Sequence, residues 1–355
     1  MEVIELLAEV LARGGSDLHL VAGAPPMARV HGSLVKLDRP PLDAQSCDRI
    51  VRAMLPHHHA DTLDRDWQVS VSLEFDDPRS QAPLGHFRVS VHLRDGVAEA
   101  AIRVTPRRVR TPDELGVPAV LKDLALRDTG LILITGPTGQ GKTTTFNALI
   151  DHINQRRKVK IVTIEDPVEY RHPHGQAVVI QLEVGRDTKT FADALRHALR
   201  EDPDVICVGE MRDLETIATA LTAAETGHLV LATLHTPSAV GTLSRIIDVF
   251  PAAQQDQVKV QLSAVLTAVI AQRLLPRADG RGRALATEVL VCTDAVRNQI
   301  REEKYHQVQN VMATSRAVGM QRLEDHLRQL LEAGIISRAV AASAANDVRA
   351  IQDLL

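Results

Sequence analysis

The sequence predicts an α/β protein with two domains, and three observations lead to that prediction. Its 355 residues exceed the roughly 150 of a typical domain, and 45% of them are apolar, enough for two cores. From residue 119 onward, four short apolar runs alternate with helical stretches: LILIT (131–135), KIVTI (160–164), VICVG (205–209) and LVLAT (229–233). Such alternation is typical of a parallel sheet that helices cover on both faces. The segment before residue 107 instead mixes a helix with alternating strands, which indicates an α+β domain.

The N-terminal segment, residues 1–106, begins with an amphipathic helix predicted over residues 2–13. Apolar and polar side chains alternate over 69–75 and 86–91, which predicts two strands. The acidic residues of the first helix are unlike a secretory signal, and no apolar run approaches the roughly 18 residues that span a bilayer. We therefore expect a cytoplasmic protein.

A proline-rich stretch follows this segment. Pro106, Pro112 and Pro118 lie close together in the sequence, and proline disrupts both helices and strands. The sequence therefore predicts an N-terminal domain, a linker and a second domain whose end is helical. The expected ranges are 1–106 for the N-terminal domain, 107–118 for the linker, 119–355 for the second domain, 239–275 and 293–355 for helical stretches, and about 277–355 for the helical C-terminal part.

The composition argues against several classes of function. A formal net charge of -4 is too mild to suggest a nucleic-acid binder, and we expect no nucleic-acid partner. With 1 Trp, 2 Tyr and 5 Phe, the chain has few side chains for a base-stacking platform or a sugar cleft. Cys47, Cys207 and Cys292 form no CxxC pair, which argues against a cysteine zinc module and against a disulfide framework.

A phosphate-binding motif lies between the first apolar run and a helix. Residues 136–143 read GPTGQGKT and match G-x-x-x-x-G-K-[ST]. The glycines let backbone N–H groups turn toward phosphates, and the following helix presents its positive end to them. Lys142 is placed for the β- and γ-phosphates of ATP, and Thr143 for Mg²⁺. The residues expected to bind ATP here are Gly136, Pro137, Thr138, Gly139, Gln140, Gly141, Lys142, Thr143 and Thr144.

Two acidic residues follow the next two apolar runs. Glu165 comes directly after KIVTI, and Glu210 comes directly after VICVG, so both are predicted at the carboxyl edge of the sheet, where ligands bind. A carboxylate there can bind Mg²⁺ or orient the attacking water. Glu210 is the first choice for this chemistry, with Glu165 assisting at the metal or the water. Because both can reach the same edge, the sequence leaves open which one accepts the proton.

Histidines flank the fourth apolar run. His228 precedes LVLAT, and His235 follows it after one intervening residue. A histidine can report a phosphate by donating a hydrogen bond, and it changes charge near neutral pH. We expect His228 to sense the γ-phosphate and His235 to lie among the nucleotide-binding residues.

Several boxes in the sequence, taken in order, resemble one family. Besides the phosphate-binding loop, they are SDLHL (16–20), TIEDPVEY (163–170), DPDVICVGEMRD (202–213), TAAETGHLVLATLHT (222–236) and AVRNQIRE (295–302). The chain is similar to the secretion-type ATPases that power type IV pili and type II secretion. Within that family it most resembles the PilT-like retraction ATPases of twitching motility.

The resemblance implies a PAS-like N-terminal domain joined to a RecA-like ATPase domain, assembled as a homohexamer with nucleotide between the domains. It also implies a position at the inner membrane through the pilus machine, with a PilC-like platform protein as partner and other pilus motor ATPases as further partners. The family's arginines that reach the γ-phosphate correspond to Arg88 and Arg103. An arginine there stabilises charge on the transferring phosphoryl group and makes hydrolysis depend on domain closure.

The leading hypothesis is a hexameric ATP-hydrolysing motor that drives pilus retraction. Retraction members carry the box AIRNLIRE, from which this chain departs at Val296 and Gln299. A pilus assembly or type II secretion ATPase of the same family is the alternative. The short N-terminal region and the lack of a tetracysteine zinc insertion argue against it. A regulatory module that binds ATP without hydrolysing it is a second alternative, and a RecA-like DNA motor is a third.

Overall fold

The computed structural model describes residues 2–30, 33–76, 83–105 and 108–354. The chain divides into two compact units. Unit 1 consists of Met1–Arg108 and Pro167–Arg171, and unit 2 consists of Val109–Asp166 and His172–Leu355. Five residues that follow the acidic box TIED therefore pack with unit 1, although the sequence analysis assigned them to the second domain.

Unit 1 is a six-stranded antiparallel sheet with helices packed on it. Its elements are α1 (Glu2–Ala12), β1 (Gly15–Leu20), β2 (Met27–Val30), β3 (Ser33–Lys36), α2 (Ala44–Met54), α3 (His57–Asp66), β4 (Gln68–Asp76), β5 (Pro83–Arg94) and β6 (Val97–Val104). The strand order is β3-β2-β1-β6-β5-β4. The core lies between the sheet and the apolar faces of α1 and α2, where Leu7, Val10 and Val51 are fully buried. The predicted first helix and both predicted strands are confirmed.

Unit 2 is a seven-stranded sheet in the order β13-β12-β7-β11-β10-β8-β9, parallel except for β13. Its strands are β7 (Gly130–Thr135), β8 (Lys160–Glu165), β9 (Val178–Glu183), β10 (Val205–Val208), β11 (Leu229–Leu234), β12 (Leu266–Pro276) and β13 (Arg283–Val291). Its helices are α4 (Pro112–Leu115), α5 (Ala119–Leu124), α6 (Lys142–Asn154), α7 (Phe191–Ala198), α8 (Leu214–Glu225), α9 (Ala239–Asp248), α10 (Ala252–Val265), α11 (Asp294–Arg301), α12 (Tyr305–Thr314), α13 (Leu323–Glu332) and α14 (Arg338–Ala344), with 3₁₀ turns at Arg316–Val318 and Val348–Leu354.

The central strand β7 shows why the sheet is covered on both faces. Its side chains alternate between two apolar clusters, Leu131 and Leu133 in one, Ile132 and Ile134 in the other. The first cluster contains residues of α8, α9 and α10, and the second contains residues of α5 and α6. A continuous apolar run is what such a strand requires, because both of its faces are buried. The predicted fold class is confirmed, and all four predicted strands are present and parallel.

The prediction of helix over 239–275 is wrong for residues 266–275. Helices α9 and α10 are present, but the chain then forms β12, which pairs with β7 beside the phosphate-binding loop. The part expected to be helical from about 277 onward likewise begins with β13. Periodicity cannot separate a fully buried strand from a buried helix, and residues 266–272 are all buried.

The stretch predicted as a linker contains a regular element. Helix α4 begins at Pro112, after a capping box in which Thr111 and Glu114 each accept a hydrogen bond from the other's backbone N–H. Proline fits the first turn of a helix, where its missing N–H is not needed, so a proline that disrupts a helix interior can also start one. Among the residues that the structure describes, no helix has the length and apolarity to cross a bilayer.

Candidate functional site

The phosphate-binding loop joins the carboxyl end of β7 to the start of α6. Gly136, Gly139 and Gly141 have φ values of 145, 79 and 82, which favour glycine. A Cβ on Gly136 would lie 2.6 Å from the main-chain oxygen of Gln272, so no side chain fits there. Helix α6 begins at Lys142, directly after this loop, and its first backbone N–H groups are available to an anion.

Strand β12 holds the loop in place through two side-chain amides. The Gln272 amide nitrogen donates to the main-chain oxygen of Gln140, at 2.7 Å, and the Gln140 side-chain oxygen accepts from the Leu274 N–H, at 2.6 Å. Gln272 is 1% exposed. Gln272 was not predicted as a site residue, because β12 was predicted as helix and no motif marks this residue.

Lys142 lies inside the loop, with its side chain nearly buried. Its ammonium donates to the main-chain oxygens of Gly136, at 2.7 Å, and Pro137, at 3.1 Å. Burial lowers the pKa of Lys142, and the negative charge of Glu210 opposes that shift. The structure therefore brings a lysine and a carboxylate together at the loop, as the motif predicted.

Glu210 follows β10, and the neighbouring strands fix the backbone on both sides of it. The Gly209 N–H donates to Ile164 O, at 2.7 Å, and the Met211 N–H donates to Thr233 O, at 3.0 Å. A Cβ on Gly209 would lie 3.0 Å from Ile164 O, so glycine permits the close approach of the two acidic segments.

Two side chains, those of Arg212 and His235, contact the Glu210 carboxylate. Its Oε1 lies 2.6 Å from Nε of Arg212 and 2.6 Å from Nε2 of His235. Burial raises the pKa of Glu210, but its interactions with Arg212 and His235 outweigh that effect and hold the pKa below its ordinary value. Glu210 is therefore ionised at neutral pH, the form that can accept a proton or bind a cation. Arg212 was missed as a site residue, although it stands in the box GEMRD.

Glu165 ends β8, beside the end of β10, as predicted. It is 3% exposed, and its Oε1 accepts from the Thr163 hydroxyl, at 2.7 Å, and from the Gln181 amide, at 3.0 Å. Gln181 lies on β9, a strand that the sequence analysis did not find. Both predicted carboxylates thus lie at the carboxyl edge of the sheet, one at the end of each of two adjacent strands.

The two histidines lie at opposite ends of β11. His235 follows the strand, and its Nδ1 lies 3.3 Å from the Lys142 ammonium and 3.5 Å from the Thr138 hydroxyl. His228 precedes the strand, and its Nδ1 lies 2.9 Å from the main-chain oxygen of Ala223. A six-residue strand separates them by about 20 Å at roughly 3.3 Å per residue. The expectation for His228 is therefore corrected: its ring lies too far from the phosphate-binding loop to contact a phosphate held there, whereas His235 lies beside Lys142.

Arg88 and Arg103 lie opposite each other on β5 and β6 of unit 1. Directly paired residues share one face of a sheet, and both side chains are more than a third exposed. Arg103 donates to Asp17, at 2.9 Å, and Arg88 lies 3.8 Å from Glu169. Burial raises the pKa of Glu169, and both arginines oppose that shift. Asp17 and Glu169 stand inside the boxes SDLHL and TIEDPVEY, but the sequence analysis gave them no role.

A glycine-rich loop at the end of a central parallel strand, followed by a helix N-terminus and flanked by carboxylates at the next strand ends, defines a P-loop nucleoside-triphosphatase site. The family described as Type II/IV secretion system protein matches residues 3–340. The chain belongs to this family.

Individual relatives narrow this assignment. The type IV pilus retraction ATPase PilT of Pseudomonas aeruginosa is 44% identical over 339 residues, 95% of this chain and 96% of its own length. A twitching motility protein of Neisseria gonorrhoeae is 42% identical over 90% of this chain and 84% of its own length. A crystal structure of the pilus retraction motor PilT with bound ADP is 45% identical, covers 99% of both chains and has a TM-score of 0.91. The resemblance to retraction ATPases is confirmed.

Proposed function

We propose that this chain is an ATP-hydrolysing motor that drives type IV pilus retraction and twitching motility. The observation that supports ATP hydrolysis is the convergence of Lys142, Glu210 and His235 at the phosphate-binding loop. The retraction function is supported by near full-length similarity to retraction ATPases. Intact acidic residues at both strand ends speak against a module that only binds ATP.

The residues at the loop fit ATP with Mg²⁺. Backbone N–H groups of the loop and of α6 would hold the phosphates, and Lys142 would contact the β- and γ-phosphates. The Thr143 hydroxyl and the carboxylates of Glu165 and Glu210 form an all-oxygen donor set, which Mg²⁺ prefers. Mg²⁺, when bound, neutralises charge that develops on the phosphates. Thr144 is the next residue of the helix and completes the proposed nucleotide-binding set.

Hydrolysis needs a water molecule oriented in line with the γ-phosphorus. In our proposal Glu210 accepts a proton from that water as the water oxygen bonds to the γ-phosphorus. The bond between the γ-phosphorus and the ADP oxygen breaks, which releases ADP and phosphate. His235 holds the carboxylate through its Nε2–H and reports the γ-phosphate. Glu165 assists at the metal or the water, and Arg88 and Arg103 stabilise the transferring phosphoryl group when the N-terminal domain closes.

The remaining proposals concern the oligomeric state, the domain organisation and the cellular location of the protein. We propose a homohexamer with a PAS-like domain (1–106), a linker (107–118) and a RecA-like domain (119–355) in each subunit. The motor would act in the cytoplasm on an inner-membrane platform protein of the PilC kind, alongside other pilus motor ATPases.

An Arg103→Ala protein should form the ring and bind ATP but hydrolyse it slowly, and unchanged turnover would remove the arginine from the mechanism.

The ATPase is tested with purified protein. Lys142→Ala should lose ATP binding, whereas Glu210→Gln should bind ATP and lose turnover, because an amide cannot accept the proton. Glu332→Gln is the matched control, since Glu332 is an exposed glutamate on α13. Normal hydrolysis by Glu210→Gln would overturn the assignment of Glu210.

Experiments in cells test whether the motor retracts or assembles pili. Surface pili and twitching are compared between a strain that lacks the gene and one that carries only Glu210→Gln. Excess pili with lost twitching in both strains would establish a retraction motor. Bald cells would indicate an assembly motor instead, and unchanged pili would indicate another secretion system.

A further inference from the structure

One side-chain amide bridges the two ends of the segment that follows β8. The Gln181 oxygen accepts from the His172 backbone N–H, at 2.9 Å, and the Gln181 nitrogen donates to Glu165 Oε1, at 3.0 Å. A backbone N–H can only donate and a carboxylate can only accept, so the orientation of this amide is fixed by its two partners. Between Glu165 and His172 lie Asp166 and the five residues Pro167–Arg171, and these five pack with unit 1. Gln181 therefore holds the two ends of this segment together.

A second set of hydrogen bonds continues from His172 to the phosphate-binding loop. The His172 side chain is fully buried, and its Nε2 lies 2.7 Å from the Asn147 side-chain oxygen. The Asn147 nitrogen donates to the main-chain oxygen of Thr143, at 2.9 Å. Because that nitrogen faces a carbonyl, the Asn147 oxygen must face the ring, and His172 Nε2 carries the proton.

The two sets form one network, with Thr143 at one end and Glu165 at the other. Both residues are ligands in the proposed metal site, and the links between them are buried or half-buried. A side chain held by two donors has little rotational freedom, so a carboxylate fixed in this way is already in place before the reaction.

We propose that Gln181 is a positioning residue for hydrolysis, which orients the Glu165 carboxylate and couples it to Thr143 through His172 and Asn147. This inference rests on the proposed ATPase function. The amide at position 181 accepts from a backbone N–H and donates to a carboxylate at the same time. Glutamate would keep the first contact and turn the second into repulsion between two carboxylates, whereas methionine would lose both.

The test compares three substitutions in the full chain. Gln181→Met keeps the side-chain size and should lower kcat about 10- to 100-fold, since small displacements of reacting groups cost that much. The Kd for ATP should stay within about twofold of wild type, because the loop and Lys142 are untouched. Gln181→Glu should lower kcat at least as far. Gln261→Met is the matched control, since Gln261 donates to the surface carboxylate of Glu225, at 2.9 Å.

Thr163 also donates to Glu165 Oε1, so conservative substitutions at position 163 offer a second test. Thr163→Val removes the hydroxyl donor and should lower kcat, and Thr163→Ser, which keeps it, should restore turnover. A kcat of Gln181→Met equal to that of an active wild type would overturn this inference alone. A loss of ATP affinity in parallel with kcat would also overturn it, because it would indicate a merely structural role. Absence of turnover in the wild type would overturn both this inference and the proposed function.

Discussion

His235 Nε2 lies 2.6 Å from Glu210 Oε1, at the carboxyl end of β11. The other ring nitrogen, Nδ1, lies 3.3 Å from the Lys142 ammonium. An ammonium can only donate, so Nδ1 accepts, and Nε2 carries the proton that is directed at the carboxylate. His235 thus connects the cation of the phosphate-binding loop to the carboxylate that we propose as the proton acceptor.

This geometry predicts different effects for the two histidines. His235→Ala should lower kcat for ATP hydrolysis by about 100-fold, since it removes a donor that holds Glu210, while ATP binding through the loop persists. His228→Ala is the control, because the Nδ1 of that ring lies against the end of α8, 2.9 Å from the main-chain oxygen of Ala223, and its loss should affect turnover far less. Single-turnover hydrolysis and fluorescent-nucleotide binding measure both effects. Equal losses of kcat in the two variants would contradict the assignment.

A second prediction concerns Arg212, which lowers the pKa of Glu210. Without the arginine, the effect of burial is opposed less, so the pKa of Glu210 rises in Arg212→Ala. Glu210 is then protonated over a wider range of acidic pH and cannot accept a proton. The acid limb of the kcat profile should therefore move to higher pH, as measured by ATP hydrolysis in buffers of constant ionic strength. Arg212→Lys keeps the charge and should move the limb less, and an unmoved limb in Arg212→Ala would contradict this role.

Much of the site could be predicted because the phosphate-binding loop and three of the predicted side chains follow short apolar runs. Parallel strands bring their carboxyl ends to one edge, so a residue that follows a run, such as Glu165, Glu210 or His235, lies at the site. The same rule excludes His228, which precedes its strand, so the two histidines could have been told apart from the sequence. The error was one of strand polarity and not of residue chemistry.

The rest of the site depends on strands that the sequence does not mark. Gln272 lies on β12, which is buried along most of its length and therefore lacks a period that separates strand from helix. Gln181 lies on the edge strand β9, where its contact with Glu165 depends on pairing between β8 and β9. Such contacts join residues that are distant in sequence, and a single sequence carries no signal of them.

A third prediction tests the fit of the loop against β12. Gly136→Ala would place a Cβ 2.6 Å from the main-chain oxygen of Gln272 at a φ of 145, so backbone must move. We expect a loss of about 2–4 kcal/mol in the free energy of unfolding and loss of ATP binding. Gly139→Ala meets no atom within 4 Å and should cost only about 1 kcal/mol for its positive φ. Urea denaturation compares the two, and equal losses would contradict the steric argument.

The last prediction concerns stability below neutral pH and rests on His326 of α13. Its Nδ1 accepts from the Thr287 N–H of β13, at 3.0 Å, and burial lowers the pKa of His326 from its ordinary value of 6.5. The unfolded chain therefore binds a proton near pH 6.5 before the folded chain does, so this residue reduces stability as pH falls below that value. His326→Asn keeps an acceptor and does not titrate, and its free energy of unfolding should fall less than that of wild type between pH 8 and about pH 5.5. Equal slopes in thermal or urea unfolding would show that His326 does not contribute.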